Sequence, residues 1–309
     1  MSVQSAPQAG ASLRLRAPAK VNWTLEVLGK RPDGYHEVRT VIQTIALSDW
    51  VTLTPADELS LALGGEAGPL AGEPLEANLA YRAARALRER TGYRAGTQIG
   101  LEKHVPVAAG LGGGSSDAAA VLRGLRRLWG LLISDGELTS LAAELGSDVP
   151  FFLRGGLALA SGRGDVLEPL PDGPPQRLVL AWPRPRTMPD KTARMYAALR
   201  SEHYTDGSRA DRLVSRLRAV EPVRDEDICN VFEGVLAEVD AEAGEIFQRA
   251  AALGFGRPHL CGSGPAFFFL PAPEQPAAPL LQALDGLGLL SIETGTLSAA
   301  EAVAVEERA

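Results

Sequence analysis

Leu13, Leu15 and Ala17 alternate with Arg14 and Arg16. Past Pro18 the alternation resumes, with Val21, Trp23, Leu25 and Val27 set between Asn22, Thr24 and Glu26. A period of two predicts strands with one face on a core, interrupted at a proline that cannot donate to a ladder. Arg31-Pro32-Asp33-Gly34 has turn chemistry, because proline presets φ and glycine accepts positive φ. Further strands are expected over 38–47 and 51–54, then a polar loop rich in glycine and proline over 64–74. Asn78 is a good N-cap for a helix running to Arg90 and closing near Gly92. Residues 97–103 alternate again as a strand. From Ser115 to Trp129, Val121, Leu122, Leu125, Leu128 and Trp129 fall on one helical stripe, with Arg123, Arg126 and Arg127 on the other side and Gly130 as the stop. A shorter helix is expected over 137–145. Strands ahead of a run of helices predict an α+β architecture, with helices on one face of a sheet.

Proline clusters at 169–175 and 183–189 bracket a strand at 177–182, and a domain boundary is expected there, giving units 1–168 and 169–309. The second unit shows helical patterns over 192–200, 209–220 and 231–253. A strand at 266–270 follows Gly-Ser-Gly, and another near 302–305 closes the chain. A length of 309 residues suits two modest domains.

With 45% hydrophobic and 22% charged residues, the chain can bury a substantial core. Its formal charge of -7 argues against nucleic acid as the main partner, while leaving room for a local positive pocket. Cys229 and Cys261 stand far apart without a CxxC pair, which suggests buried free thiols, and the four histidines form no HExxH motif. The first eleven residues have neither a basic start nor an apolar run, so they read as a loose tail. No stretch approaches the ~18–20 apolar residues of a membrane span, and a cytoplasmic protein is expected.

The sharpest chemical feature is PVAAGLGGGSSDAAAVL, from Pro106 to Leu122. Four glycines (Gly110, Gly112, Gly113, Gly114) and two serines lie between a strand and an amphipathic helix. Glycine lets backbone approach another molecule closely, and consecutive N–H groups running into a helix N-terminus form an anion cradle. An ordinary turn needs fewer glycines, each costing about 0.5–1 kcal/mol in structured chain. The pattern therefore points to a polyphosphate, with Ser115 and Ser116 able to reach phosphate oxygens or help hold Mg²⁺. The loop lacks the Gly-Lys-Ser/Thr of a P-loop, and Ser115 occupies the third glycine of a dinucleotide fingerprint.

Three blocks carry a resemblance: PAKVN (Pro18 to Asn22), GLGGGSSDAA (Gly110 to Ala119) and LCGSGPAFF (Leu260 to Phe268). Together they are similar to the three signatures of the GHMP small-molecule kinases, over roughly residues 13 to 300. KRPDGYHEV (Lys30 to Val38) and GSDVPFFLRGG (Gly146 to Gly156) resemble a branch whose acceptor carries cytidine diphosphate. The resemblance implies an N-terminal domain like the second domain of ribosomal protein S5 and a C-terminal ferredoxin-like GHMP domain. It also implies transfer of a phosphoryl group from ATP, with Mg²⁺, to a hydroxyl of a small metabolite.

Residue by residue, it implies that Pro106, Val107, Ala108, Ala109, Gly110, Leu111, Gly112, Gly113, Gly114, Ser115 and Ser116 hold ATP, with Gly262, Ser263 and Gly264 closing the site. Lys20 and Asp148 are the implied catalytic pair: Asp148 as general base, Lys20 orienting it and stabilising charge on the alcohol oxygen. Their side chains are then expected within hydrogen-bond or close ion-pair reach. Tyr35 and His36 are implied to engage cytosine, Tyr196 to form the opposite slice of an aromatic sandwich, and Asn22 to touch substrate near Lys20. From sequence position alone, Asp148 could be a turn residue, Lys20 a solvated charge, and Tyr35 and His36 part of an exposed turn. Rival readings are a homoserine or mevalonate kinase type, a silent nucleotide-binding homologue and a nucleic-acid module. The KRPDGYHEV block, the retained Lys20 and Asp148, and the acidic balance stand against them in turn.

Overall fold

The structure is a computed structural model that describes residues 12–65, 70, 72–184, 188 and 190–308. The N-terminal tail, residues 66–69 and 71 of the glycine- and proline-rich loop, and 185–187 and 189 of the second proline cluster lie outside the described residues. The spine is a ribbon of two long antiparallel strands, β1 (Ser12–Lys30) and β2 (His36–Ala56), joined by the Arg31–Tyr35 turn. The two strands expected before and after Pro18 are one, with a register shift between Pro18 and Ala19 that absorbs the missing donor. β3 (Ser60–Gly65), helix α1 (Leu79–Thr91) and β4 (Gly96–Lys103) follow. Asn78 caps α1 by accepting from the Ala80 N–H, and Gly92 closes it in the left-handed region.

Three helices come next: α2 (Gly113–Leu128), α3 (Asp135–Leu145) and α4 (Val149–Arg154). α2 starts at Gly113, two residues before the expected Ser115, because the glycine loop itself supplies the first turn. β5 (Leu157–Gly162) and β6 (Val166–Pro169) add to the first sheet, whose main path runs β3-β4-β2-β1. The apolar stripe of α2 packs on that sheet. At Gly124 a β-carbon would collide with Leu53 and Leu15, so helix and sheet meet at a distance only glycine permits.

The remaining chain forms β7 (Arg177–Trp182), α5 (Lys191–Ala198), α6 (Ser208–Arg218), β8 (Cys229–Asn230), α7 (Leu236–Val239) and α8 (Ala241–Ala251). It ends with β9 (His259–Leu260), β10 (Phe267–Phe269), α9 (Ala278–Gly286), β11 (Leu290–Gly295), α10 (Ala299–Ala302) and β12 (Val305–Arg308). β11, β7, β10 and β9 make a second sheet, while β8 and β12 return to β1. The single helix expected over 231–253 is broken. Asp240 leaves helical geometry and its carboxylate accepts the Ala243 N–H, so it ends α7 and caps α8. The protein is thus a mixed helix-and-sheet fold. Cys229 and Cys261 are buried free thiols, and among the described residues no helix is long and apolar enough to cross a membrane.

Candidate active site

In the middle of β1, both faces are covered. Lys20, Asn22, Thr24 and Glu26 are all at most 5% exposed, so the polar side of the alternation is enclosed and Lys20 is not a solvated charge. The Lys20 N–H donates to the Leu111 carbonyl (2.9 Å), docking the strand on the glycine loop. Its aliphatic stem runs beside Gly112, where a β-carbon would stand 2.8 Å from Phe152 Cζ and 3.2 Å from Lys20 Cγ. Its ammonium reaches Gly262, where a β-carbon would lie 3.0 Å from Nζ. At Gly110 a β-carbon would collide with the Cys261 carbonyl, and the Ala266 N–H donates to Ala109 O at 3.2 Å. The three sequence blocks thus meet at one point, and the glycines are what lets them close.

Lys20 Nζ donates to Asn22 Oδ1 (2.8 Å), and Asn22 Nδ2 donates to Thr40 Oγ1 (2.8 Å). The direct pairing expected between Lys20 and Asp148 is not made: among the described residues no ion pair joins them. Threaded between Gly112 and Gly262, the ammonium is taken by the asparagine carbonyl instead. Asp148 nevertheless opens into the same cavity as Lys20 and Asn22, from the start of α4. Arg123 of α2 holds α4 in place by donating to the Phe152 carbonyl, and its NH2 reaches Arg16 O at 3.2 Å.

Two cavities flank the glycine loop. One, of about 340 Å³, is lined by Pro106 to Ser115 together with Asn78, Lys103 and Asp117. The other, of about 170 Å³, holds Lys20, Asn22, Asp148, Arg163, Tyr196 and Ser263. Gly110 and Gly112 line both, so the cavities meet there. Ser116 lies beneath the loop, fully buried and outside the lining. The third block is braced by Asn230, whose Nδ2 donates to Leu260 O (2.9 Å) and Gly262 O (2.8 Å). Gly264 donates its N–H to Cys261 O (2.7 Å), and Ser263 Oγ lies 2.9 Å from Thr192 Oγ1.

Tyr35 is more than half exposed, with the Arg163 guanidinium 4.9 Å from its ring centre, and it does not line the second cavity. It is His36 that lies on Tyr196, with ring centres 5.0 Å apart and planes at 25°. Tyr196 stands edge-on to Phe232 at 4.9 Å. Burial, reinforced by the charge of Asp148, pushes the Tyr196 hydroxyl up to about 12. Burial and nearby Lys30 hold the His36 imidazole below its ordinary value. Trp23 is in the core, edge-on to Phe268 at 5.6 Å.

Sequence reasoning passed over one buried cluster at the glycine loop. Lys103 Nζ donates to both Asp49 Oδ2 and Asp117 Oδ2 (2.7 Å for the latter). Asp49 Oδ1 also accepts the N–H groups of His104 (2.6 Å) and Val105 (2.8 Å), just before the loop. Burial opposes the Lys103 charge, but the two carboxylates outweigh it and hold the ammonium above its ordinary value. Burial, countered by Lys103 and reinforced by Asp49, pushes the Asp117 carboxyl up to about 8. A lysine directly before the loop and an aspartate just after its serines were the available signals.

A backbone cradle at a helix N-terminus, opening on one side to a cavity of nucleotide size and on the other to an ammonium and a carboxylate, defines an ATP-dependent small-molecule kinase. Residues 78–156 match the GHMP kinases N terminal domain. Proteins named 4-diphosphocytidyl-2-C-methyl-D-erythritol kinase from Symbiobacterium thermophilum and Pelotomaculum thermopropionicum are 41% and 44% identical over 278 and 262 residues. These alignments cover 89% and 83% of this chain and 96% and 88% of those proteins. A crystal structure of 4-(cytidine 5'-diphospho)-2C-methyl-D-erythritol kinase aligns with a TM-score of 0.74 at 37% identity, covering 92% of this chain and 100% of that one. Homoserine kinase from Cytophaga hutchinsonii, at 17% identity and a TM-score of 0.74, shares the fold. The chain belongs to the GHMP kinases, in the family of 4-diphosphocytidyl-2-C-methyl-D-erythritol kinases.

Proposed function

We propose that this protein transfers the γ-phosphoryl group of ATP to the 2-hydroxyl of 4-diphosphocytidyl-2-C-methyl-D-erythritol, giving the 2-phosphate and ADP, in cytoplasmic isoprenoid precursor synthesis. The observation that carries it is the pair of cavities meeting at Gly110 and Gly112, one beside the phosphate cradle and the other beside Lys20 and Asp148. Phosphoryl transfer needs the donor phosphates held and the attacking hydroxyl placed in line, and that junction supplies the line.

The amides of Val107 to Ser115 bind the phosphates, with Gly262 and Ser263 closing the site from the second cavity, while the Ser116 and Gly264 N–H groups are already taken by Gly112 O and Cys261 O. Asp148 accepts the hydroxyl proton, and Lys20, steadied by Asn22, stabilises charge on the acceptor oxygen. Cytosine enters between Tyr35 and Tyr196, taking the face of Tyr196 that His36 covers here, with His36 turned to the polar edge of the base. Among the described residues no cluster of three or more acidic, histidine or cysteine side chains could hold a metal. Mg²⁺ bound to nucleotide needs only one or two protein ligands, and Asp117 Oδ1, buried without a hydrogen-bond partner where that residue lines the nucleotide cavity, fits the role beside Ser115. The ion would neutralise phosphate charge.

The division at 168/169 into an S5-like and a ferredoxin-like domain is supported by the separate second sheet beginning with β7, although β12 crosses back to the first. The test is ADP release with 4-diphosphocytidyl-2-C-methyl-D-erythritol, homoserine or mevalonate as acceptor. Turnover is expected with the first alone, and Asp148→Asn is expected to reduce kcat by about 10²–10⁴-fold. Preferred turnover of homoserine or mevalonate overturns the assignment.

A further inference from the structure

The polar side of α2 carries Arg123, Arg126 and Arg127. Arg126 and Arg127 pair with Asp135 and Glu307. Arg123 pairs with no carboxylate among the described residues, and burial pushes its guanidinium down to about 10. Its Nε is buried with no hydrogen-bond partner among them. A charge taken out of water without a counter-ion is costly, so the groups it does meet are informative. Both are backbone carbonyls: NH1 donates to Phe152 O, and NH2 donates to Arg16 O at 3.2 Å.

Those carbonyls belong to the two elements that carry the proposed catalytic pair. Phe152 lies in α4, whose first residue directly follows Asp148. Arg16 lies in β1, four residues before Lys20. α2 itself starts at Gly113 of the glycine loop. One side chain thus joins the supports of the phosphate cradle, the base and the ammonium. With six residues, about 9 Å, α4 moves as one body, so a shift at Phe152 reaches Asp148. Phe152 O is among the last four carbonyls of α4, and Gly156, four residues on, gives its N–H to Thr44 Oγ1 instead. Among the described residues, Arg123 makes the only hydrogen bond donated into α4 by another element. Its other fastenings are packing contacts, such as the Phe152 ring close to Gly112.

We propose that Arg123 is a positioning residue for phosphoryl transfer: bonded to α4 and β1 at once, it fixes how Asp148 reaches the acceptor hydroxyl beside Lys20. The inference rests on the catalytic roles proposed above and adds a residue that lines neither cavity. A displacement near 1 Å costs up to ~10²-fold in such sites. It costs turnover rather than binding when the displaced group acts only on the reacting atoms. The fork matters as well as the charge, because two carbonyls on different elements need two donors in fixed relation.

The test is steady-state ADP release, with 4-diphosphocytidyl-2-C-methyl-D-erythritol as acceptor, by Arg123→Met alone and combined with Asp148→Asn. Arg123→Met should lower kcat ~10–100-fold while the ATP and acceptor KM values stay within about twofold of wild type. On the Asp148→Asn background the same change should lower kcat less than about threefold, because the group it aligns is already disabled. Arg123→Lys, which keeps the charge without the fork, should recover part of kcat. Circular dichroism at the assay temperature checks that each variant is folded. Should Arg123→Met fail to fold, Arg123→Lys serves in the same pair of measurements. Equal fold losses with and without Asp148 overturn the inference, since a general weakening of the fold acts on both backgrounds alike. An unchanged kcat, or a loss confined to either KM, overturns it too. If Asp148→Asn alone keeps wild-type kcat, the base is misassigned and this role falls with it, whereas a slow Asp148→Asn beside an unaffected Arg123→Met removes only the role of Arg123.

Discussion

Replacing Lys103 with methionine tests whether one buried ammonium staples both ends of the glycine loop. The side chain is 2% exposed, against 0% for Asp49 and 4% for Asp117, so its removal leaves two carboxyls enclosed without their cation. Breaking a buried ion pair from one side costs about 3–5 kcal/mol, because the remaining charge keeps its desolvation penalty and loses its compensation. The cost depends on pH in a direction that can be worked out. Asp117 is already pushed up to about 8, and without Lys103 its carboxyl rises further. The folded variant then holds a proton that the unfolded chain releases near pH 4, so its stability falls as pH rises from about 5.5 to 8. The wild type shares that slope until its own Asp117 ionises near pH 8, so the deficit should stay level from pH 5.5 to 7 and widen from pH 8 to 9, as read by urea denaturation followed through tryptophan fluorescence.

The same variant should disturb nucleotide binding. Asp49 holds the His104 and Val105 amides ahead of the loop, and Asp117 sits near the start of α2 behind it. Slackening both should raise the ATP KM by about tenfold, since displacements near 1 Å in such sites cost up to ~10²-fold. A loss below ~1 kcal/mol at pH 8, with the ATP KM unchanged, would show that the cluster neither carries its charges as described nor positions the loop.

Gly112→Ala should lower kcat/KM by at least ~10²-fold: its φ of +74° costs a side-chain residue about 1–2 kcal/mol, and the new methyl meets Phe152 and the Lys20 stem. Steady-state ADP release checks this, and near-normal kinetics would mean the three blocks are less tightly closed than described. His259 is fully enclosed, with Nε2 2.7 Å from Asp225 Oδ1, and burial, partly offset by Asp225, holds its imidazole below the ordinary value. Below pH ~6.5 the unfolded chain gains a proton that the folded state resists, so stability should fall by up to ~1.4 kcal/mol per pH unit as pH drops toward the folded value. His259→Gln should flatten that slope in urea titrations at pH 5 to 7.

Where local chemistry decides the backbone, the sequence could be read directly. Asn78 and Gly92 bound α1 as their side-chain chemistry requires, and the alternation of β1 and β2 survives as strands. The break at Asp240 was missed because the apolar pattern continues through it, and only a cap that forms in three dimensions reveals the joint. β3, β6 and β11 escaped notice because their side chains are largely or partly exposed, leaving little alternation to detect. In the site, the glycine loop declared itself by composition, whereas Lys103 and Arg163 did not. A lysine drawn inside by carboxylates 54 positions before it and 14 after it looks, in one dimension, like any surface charge.

The departure at Lys20 has a local cause. A family pattern can say that an ammonium and a carboxylate belong to one reaction without saying that they pair directly. Here the ammonium is parked on Asn22, and Asp148 opens separately into the same space. On the proposed mechanism, Asp148 meets the hydroxyl without Lys20 as a partner, and Lys20, lining the same cavity, meets the negative charge that forms on the acceptor oxygen. On the mechanism proposed above, Asn22 therefore has a second role: by accepting from Lys20, it leaves Asp148 unpaired for the acceptor hydroxyl.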